Sequence, residues 1–135
     1  IAVYGVDDAL ARADVYSEDG ADMLFFEAFE SVKQMEKVCS RFAQKIPLLV
    51  NMVEGGKTPF LPARDLEDLG FRVAIYPVTG VLAAAYQMKK VLKTLRDTGT
   101  TQGAWHEMLP FNEVFNGLLG WDQALSFIDH YSGKK

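Results

Sequence analysis

Three short, largely apolar runs punctuate this chain at intervals of roughly 25 residues: Asp22 to Phe26, Leu48 to Met52 and Phe71 to Tyr76. That interval is the length a strand, a loop and a crossover helix need before the chain returns parallel to its first strand. Because the runs are apolar at successive positions rather than alternating, they predict strands covered on both faces, as in a parallel α/β sheet.

The segments between the runs have the helical period. Leu10, Ala13 and Tyr16 follow Asp7 and Asp8, acidic residues suited to a helix start, and predict a helix from Asp7 to Glu18 that stops at Gly20. Ser31 can cap a second helix with a core stripe of Met35, Val38, Cys39 and Phe42. A brief helix over Arg64 to Leu69 is closed by Gly70. A final one presents Leu82, Ala85, Met88, Val91, Leu92 and Leu95 on one face and ends near Arg96, before Gly99. The order is αβαβαβα.

Parallel strands place all their carboxyl ends on one side, so residues there converge although they are distant in sequence. The first run ends in Glu27. The second ends in Asn51-Met52-Val53-Glu54-Gly55-Gly56-Lys57-Thr58-Pro59, and the third in Tyr76-Pro77 with Thr79 beyond. Polar groups at the carboxyl edge of such a sheet are where α/β proteins hold ligands. Glu27, Asn51, Glu54 and Tyr76 are therefore the candidate site residues.

Composition excludes several classes. The net charge is −4 with both signs interspersed, and no basic stripe could neutralise a phosphate backbone, so nucleic acid is not the expected partner. No apolar run reaches membrane-span length, and the amino terminus has no signal-peptide pattern. The single cysteine forms no internal disulfide framework and suits a reducing compartment. The expectation is a soluble cytoplasmic protein.

Three strands cannot close a barrel, which takes about eight, and an open three-stranded parallel sheet has two exposed edges. The chain also opens on Ile1 rather than Met. Truncation of a larger protein is the expectation from these two features.

The blocks Ala21 to Ala28, Asn51 to Pro59 and Leu69 to Pro77, in this order and spacing, resemble the isocitrate lyase and phosphoenolpyruvate mutase superfamily. The similar branch includes methylisocitrate lyase, dimethylmalate lyase and carboxyvinyl-carboxyphosphonate phosphorylmutase-like proteins. The resemblance implies the carboxyl-terminal half of a TIM (β/α)₈ barrel over residues 1–99, starting after the fifth strand. Residues 100–135 would be a carboxyl-terminal helical extension. It further implies a Mg²⁺-dependent lyase that cleaves a carbon–carbon bond of a 2-hydroxy di- or tricarboxylate through an enolate. Its metal-binding carboxylates and mobile catalytic loop would lie in a missing amino-terminal half, so that this chain alone is inactive.

Carried over by position, Glu27 belongs to the polar network around the substrate, Asn51 hydrogen-bonds a substrate carboxylate, and Glu54 lies beside it. Val53 departs from the methylisocitrate lyase pattern, which has a hydroxyl residue there. Losing a hydrogen bond to a buried charged group costs about 1.5–3 kcal/mol, which favours a smaller 2-hydroxy dicarboxylate of the malate type. Oxaloacetate decarboxylase and phosphonomutase-type chemistry are the alternatives within the superfamily. A half-barrel that serves as a non-catalytic assembly module is the alternative outside enzymes. Eukaryotic members of the superfamily also admit an organelle as the location.

Each candidate has a simpler reading. Glu27 can cap the following helix or pair with a lysine, Asn51 can be a turn former, and Tyr76 can be core packing. The Gly55-Gly56 pair reads as a loop needing positive φ, not as a phosphate cradle. Cys39, on an apolar stripe, reads as a packed core thiol. His106 and His130 lack metal-ligand spacing and read as surface or interface residues.

The extension has its own pattern. Trp105, Met108, Leu109, Phe111, Val114, Phe115, Leu118, Leu119, Trp121, Leu125, Phe127 and Ile128 are too many large apolar groups for a loose tail. They need a surface to bury against, and the resemblance implies terminal helices exchanged between subunits. A homo-oligomer is the expectation.

Overall fold

The computed structural model describes residues 1–132. The chain divides into a first unit, Ile1–Ala83, and a second that begins at Ala84.

The first unit holds α1 (Gly5–Glu18), β1 (Leu24–Phe25), α2 (Val32–Phe42), β2 (Leu48–Asn51), α3 (Ala63–Leu69) and β3 (Val73–Ile75), and α4 (Thr79–Thr98) starts within it. The strands form one parallel sheet in the order β1-β2-β3. Leu24 pairs with Leu48 and Phe25 with Leu49, while Leu49, Val50 and Asn51 pair with Val73, Ala74 and Ile75.

The local chemistry explains the boundaries. The Ser31 side chain accepts a hydrogen bond from the Gln34 N–H and caps α2, as its sequence indicates. The Gly70 N–H bonds the Glu67 carbonyl and the Phe71 N–H bonds the Leu66 carbonyl, a Schellman ending with Gly70 in the left-handed region at φ 117°.

The core lies between the sheet and its helices. Phe29, Met35, Val38, Phe42, Leu48, Val50, Met52 and Leu66 are fully buried or nearly so, and each such side chain contributes about 1.5–3 kcal/mol through removal from water. Along β2 the buried residues alternate: Leu48 and Val50 face the helices, while Leu49 and Asn51 are half-buried on the other face.

That second face corrects the expectation of a sheet covered on both sides. Phe25 is 49% exposed and Ile75 38%, with Leu49 and Val73 between them half-buried. The reason is topological. Strands laid down in sequence order through crossovers of one hand place every helix on the same face, so the chain covers one side and leaves the other open.

In the second unit, a 3₁₀ turn at Gln102–Glu107 and a π-helical segment at Glu113–Leu118 precede α5 (Trp121–Tyr131). The Leu119 N–H bonds the Val114 carbonyl five residues back at 3.0 Å, the mark of a π turn. Phe115 meets Phe111 in a stacked pair and Trp121 edge-on. Much of the apolar surface stays open, including Trp105, Phe111, Leu118, Leu119 and Phe127. The stripe expected on α4 behaves the same way: Val91 is buried, whereas Leu82, Met88, Leu92 and Leu95 are exposed. Among the described residues no helix is long and apolar enough to cross a membrane.

Candidate functional site

The carboxyl end of the sheet is set by the register of β2 and β3. Asn51, the last residue of β2, stands opposite Ile75, the last of β3, and the Met52 N–H bonds the Ile75 carbonyl at 2.8 Å. Phe25 pairs with Leu49, so Glu27, two residues further on, reaches the same level along the strand direction as Asn51. The topology thus brings Asn51, at the end of β2, and Glu27, two residues past the end of β1, to one rim.

Asn51 is the most unusual group there. It sits between buried Val50 and Met52, and its side chain therefore belongs to the open face of the sheet. Its Oδ1 is shielded from solvent, yet has no hydrogen-bond partner among the described residues. Leaving such an acceptor unpaired costs about 1–3 kcal/mol, which sets this amide apart from the other polar groups of the rim.

Glu27 is exposed, and its Oε1 accepts a hydrogen bond from the Ala28 N–H at 2.9 Å. Ala28 has φ 60°, the one non-glycine residue with positive φ among those described. On either side, Phe26 and Phe29 are buried in the core, which holds the strained residue in place.

Glu54 lies in a tight turn that begins at Val53. The Gly56 N–H bonds the Val53 carbonyl at 2.9 Å and Gly55 has φ 74°, the positive-φ third position of a type II turn. The glycine pair is a turn, as its sequence indicates. The carboxylate of Glu54 accepts a hydrogen bond from the hydroxyl of Thr79, the first residue of α4.

Tyr76 has an aromatic neighbour of its own. It follows Ile75 directly and packs edge-on against Phe60, with ring centroids 6.0 Å apart. It lines a groove with Ala63, Glu67 and Ala74, beside α3. Sequence reasoning did not single out Ala28 or Phe60. Thr79 was visible only as a polar residue beyond the third strand.

The remaining titratable groups lie elsewhere. Cys39 is buried, and desolvation pushes its thiol up to about 11, as fits a packed core residue rather than a thiolate nucleophile. His106 is exposed beside Glu107, with 3.5 Å between Nε2 and Oε1. The His130 ring lies against Tyr131. Among the described residues no three His, Cys, Asp or Glu side chains come together as a metal set. The rim carboxylates of Glu27 and Glu54 are engaged by a backbone amide and a hydroxyl.

Comparison with known proteins places this geometry. Residues 2–96 match the sequence profile of the phosphoenolpyruvate phosphomutase family. The chain belongs to that family. As a phosphoenolpyruvate phosphomutase family member it is 43% identical over 125 residues to the probable 2-methylisocitrate lyase 2 of Corynebacterium glutamicum, a match that covers 93% of this chain and 40% of that protein. A crystal structure of 2,3-dimethylmalate lyase, described as a PEP mutase/isocitrate lyase superfamily member, superposes with a TM-score of 0.81 at 28% identity, over 97% of this chain and 44% of that one. Oxaloacetate acetylhydrolase, solved with the inhibitor 3,3-difluorooxalacetate, gives 0.85 at 25% identity, over 98% and 43%. These neighbours are TIM-barrel proteins, and this family member spans under half of each, in the carboxyl-terminal part.

Proposed function

We propose that this chain is the second half of a (β/α)₈ barrel, residues 1–99 with a helical extension over residues 100–135, in a carbon–carbon lyase acting on a 2-hydroxy diacid. The observation that supports this reading is the unpaired amide of Asn51 at the carboxyl rim of an uncovered sheet face, level with Glu27. A substrate with a carboxylate beside a hydroxyl matches an amide: Nδ2 donates to the carboxylate, and Oδ1 accepts from the hydroxyl. Glu27 adds an acceptor just past the end of the neighbouring strand.

The reaction class follows from the substrate. Loss of the 2-hydroxyl proton makes C2 a ketone as the C2–C3 bond breaks. The bonding pair moves to C3, where the adjacent carboxylate delocalises it as an enolate until a proton is added. The products are a 2-oxo acid and a shorter saturated acid. Residues of this chain bind and orient the substrate. Among the described residues no three His, Cys, Asp or Glu side chains cluster, and in this reading carboxylates outside them hold Mg²⁺. Val53, an apolar residue two places after Asn51, favours a dicarboxylate over a tricarboxylate, and the likeness to oxaloacetate acetylhydrolase supports a diacid.

The partners follow from the open surfaces. Phe25 and Ile75 on the bare sheet face belong against the other barrel half, and the exposed aromatics of the second unit belong against a neighbouring subunit. Light scattering of the complete protein is expected to give an oligomer, and a monomer would overturn that assignment.

The function is tested by incubating the complete protein with Mg²⁺ and, in separate reactions, 2,3-dimethylmalate, 2-methylisocitrate and oxaloacetate. Trapping 2-oxo acids as hydrazones is expected to show product from a 2-hydroxy acid, with 2,3-dimethylmalate the better substrate. Carbon dioxide from oxaloacetate without cleavage of either hydroxy acid would assign a decarboxylase. No turnover of any of the three would leave the half-barrel as an assembly module.

A further inference from the structure

We propose that Thr79 and Glu54 form a positioning pair that locks the loop after β2 to the head of α4, and thereby holds Asn51 in register for substrate. This rests on the reading of Asn51 as a substrate-binding residue. It gives Glu54 a role in building the rim rather than in touching the reacting atoms.

Backbone pairing between β2 and β3 ends at the bond from the Met52 N–H to the Ile75 carbonyl. Beyond it, both chains leave the sheet, one into the Val53 to Gly56 turn and the other through Pro77 to α4. Among the described residues the next hydrogen bond joining these two segments is from the Thr79 hydroxyl to the Glu54 carboxylate, between residues 25 positions apart.

Each side of the contact is fixed locally. Gly55 supplies the positive φ of the type II turn, and a Cβ on Gly56 would lie 3.1 Å from both the Cβ and the carbonyl oxygen of Val53, so the turn that presents Glu54 is tight. Thr79 is the first residue of a 20-residue helix, whose amino end favours a carboxylate beside it. Neither partner needs to rearrange to keep the bond. Asn51 lies two residues before the turn, so freedom in the turn passes directly to the end of β2.

The test is steady-state kinetics of the complete protein on the 2-hydroxy diacid it cleaves, with the variants Thr79→Val, Thr79→Ser, Glu54→Gln and the double variant Thr79→Val/Glu54→Gln. Thr79→Val is expected to raise KM roughly threefold to tenfold, the loss of one hydrogen bond, with kcat within about twofold. Thr79→Ser restores the hydroxyl and should restore KM. The double variant should be no worse than Thr79→Val, because both changes break the same bond. An unchanged KM in Thr79→Val, failure of Thr79→Ser to rescue, multiplicative losses in the double variant, or loss of kcat in Glu54→Gln would each overturn the pairing. A wild type without turnover sinks the lyase reading instead. Exchange of the Gly56 amide then decides the pairing: acceleration in Thr79→Val and recovery in Thr79→Ser support it, and identical rates in all three proteins overturn it.

Discussion

Phe26 and Phe29 are both buried in the core, with ring centroids 6.2 Å apart, and between them Glu27 is exposed. Phe26 also meets Phe42, and Phe29 meets Phe71. With both ends anchored, Ala28 takes the left-handed conformation at φ 60°.

An L-residue in that region costs roughly 1–2 kcal/mol. Ala28→Gly removes this strain but frees the unfolded chain, a loss of about 0.4–1 kcal/mol. Urea unfolding is therefore expected to show Ala28→Gly more stable by roughly 0.5–1 kcal/mol. Ala28→Val should be less stable by at least about 1 kcal/mol, because a β-branched side chain tolerates the left-handed region poorly. A destabilised Ala28→Gly variant would show that the backbone at Ala28 is not strained.

Gly70 is constrained twice. Its φ of 117° suits glycine, and a Cβ there would stand 2.7 Å from the Cβ of Ala43. Gly70→Ala is expected to destabilise by at least about 2 kcal/mol in urea unfolding, since backbone strain and an overpacked contact act together. A loss below about 0.5 kcal/mol would contradict the close approach of α3 to the end of α2.

In the second unit, Glu107 ties the 3₁₀ turn to α4 by accepting from Lys90 Nζ at 2.7 Å and from Gln87 Nε2 at 3.1 Å. The Lys90 bond is the main cause, and the Gln87 bond the next, that holds the Glu107 carboxyl below its ordinary 4.5. The same bond to Glu107 holds Lys90 above its ordinary 10.5. A lowered acid contributes stability that is complete above 4.5 and is lost as pH falls through the lowered value. A raised base contributes stability that is complete below 10.5 and is lost as pH rises through the raised value. The tie is thus intact between those limits. Carbon-detected NMR titration should place the Glu107 carboxyl below 4.5 at low salt and nearer to it in about 1 M NaCl, because the groups are solvent-accessible. Titration at the ordinary value in both conditions would contradict the tie.

The sheet and its helices were legible because their signals are local. Ser31, the stripe Met35, Val38, Cys39 and Phe42, and Gly70 each mark a cap, a face or a stop within a few residues. Coverage of the sheet was misread. Unbroken apolar strands signal that both faces are to be buried, but not that the covering belongs to the same segment, and Phe25 and Ile75 remain bare. Glu27 and Asn51 were legible as a pair because parallel strands share a carboxyl edge. The bond between Glu54 and Thr79 was not, since it depends on how two loops 25 residues apart approach each other. Ala28 gave no signal at all, because alanine carries no preference for the left-handed region that Phe26 and Phe29 impose on it.

Asn51 is the residue on which the functional reading turns. The most direct measurement is kcat/KM of Asn51→Ala, in the complete protein, on the 2-hydroxy diacid that the wild type cleaves. With the amide bonding both carboxylate and hydroxyl, kcat/KM is expected to fall roughly tenfold to a hundredfold, about 1.4–2.8 kcal/mol, with folded stability no lower than that of the wild type. A variant that retains wild-type kcat/KM would show that the unpaired amide at the rim does not meet the substrate.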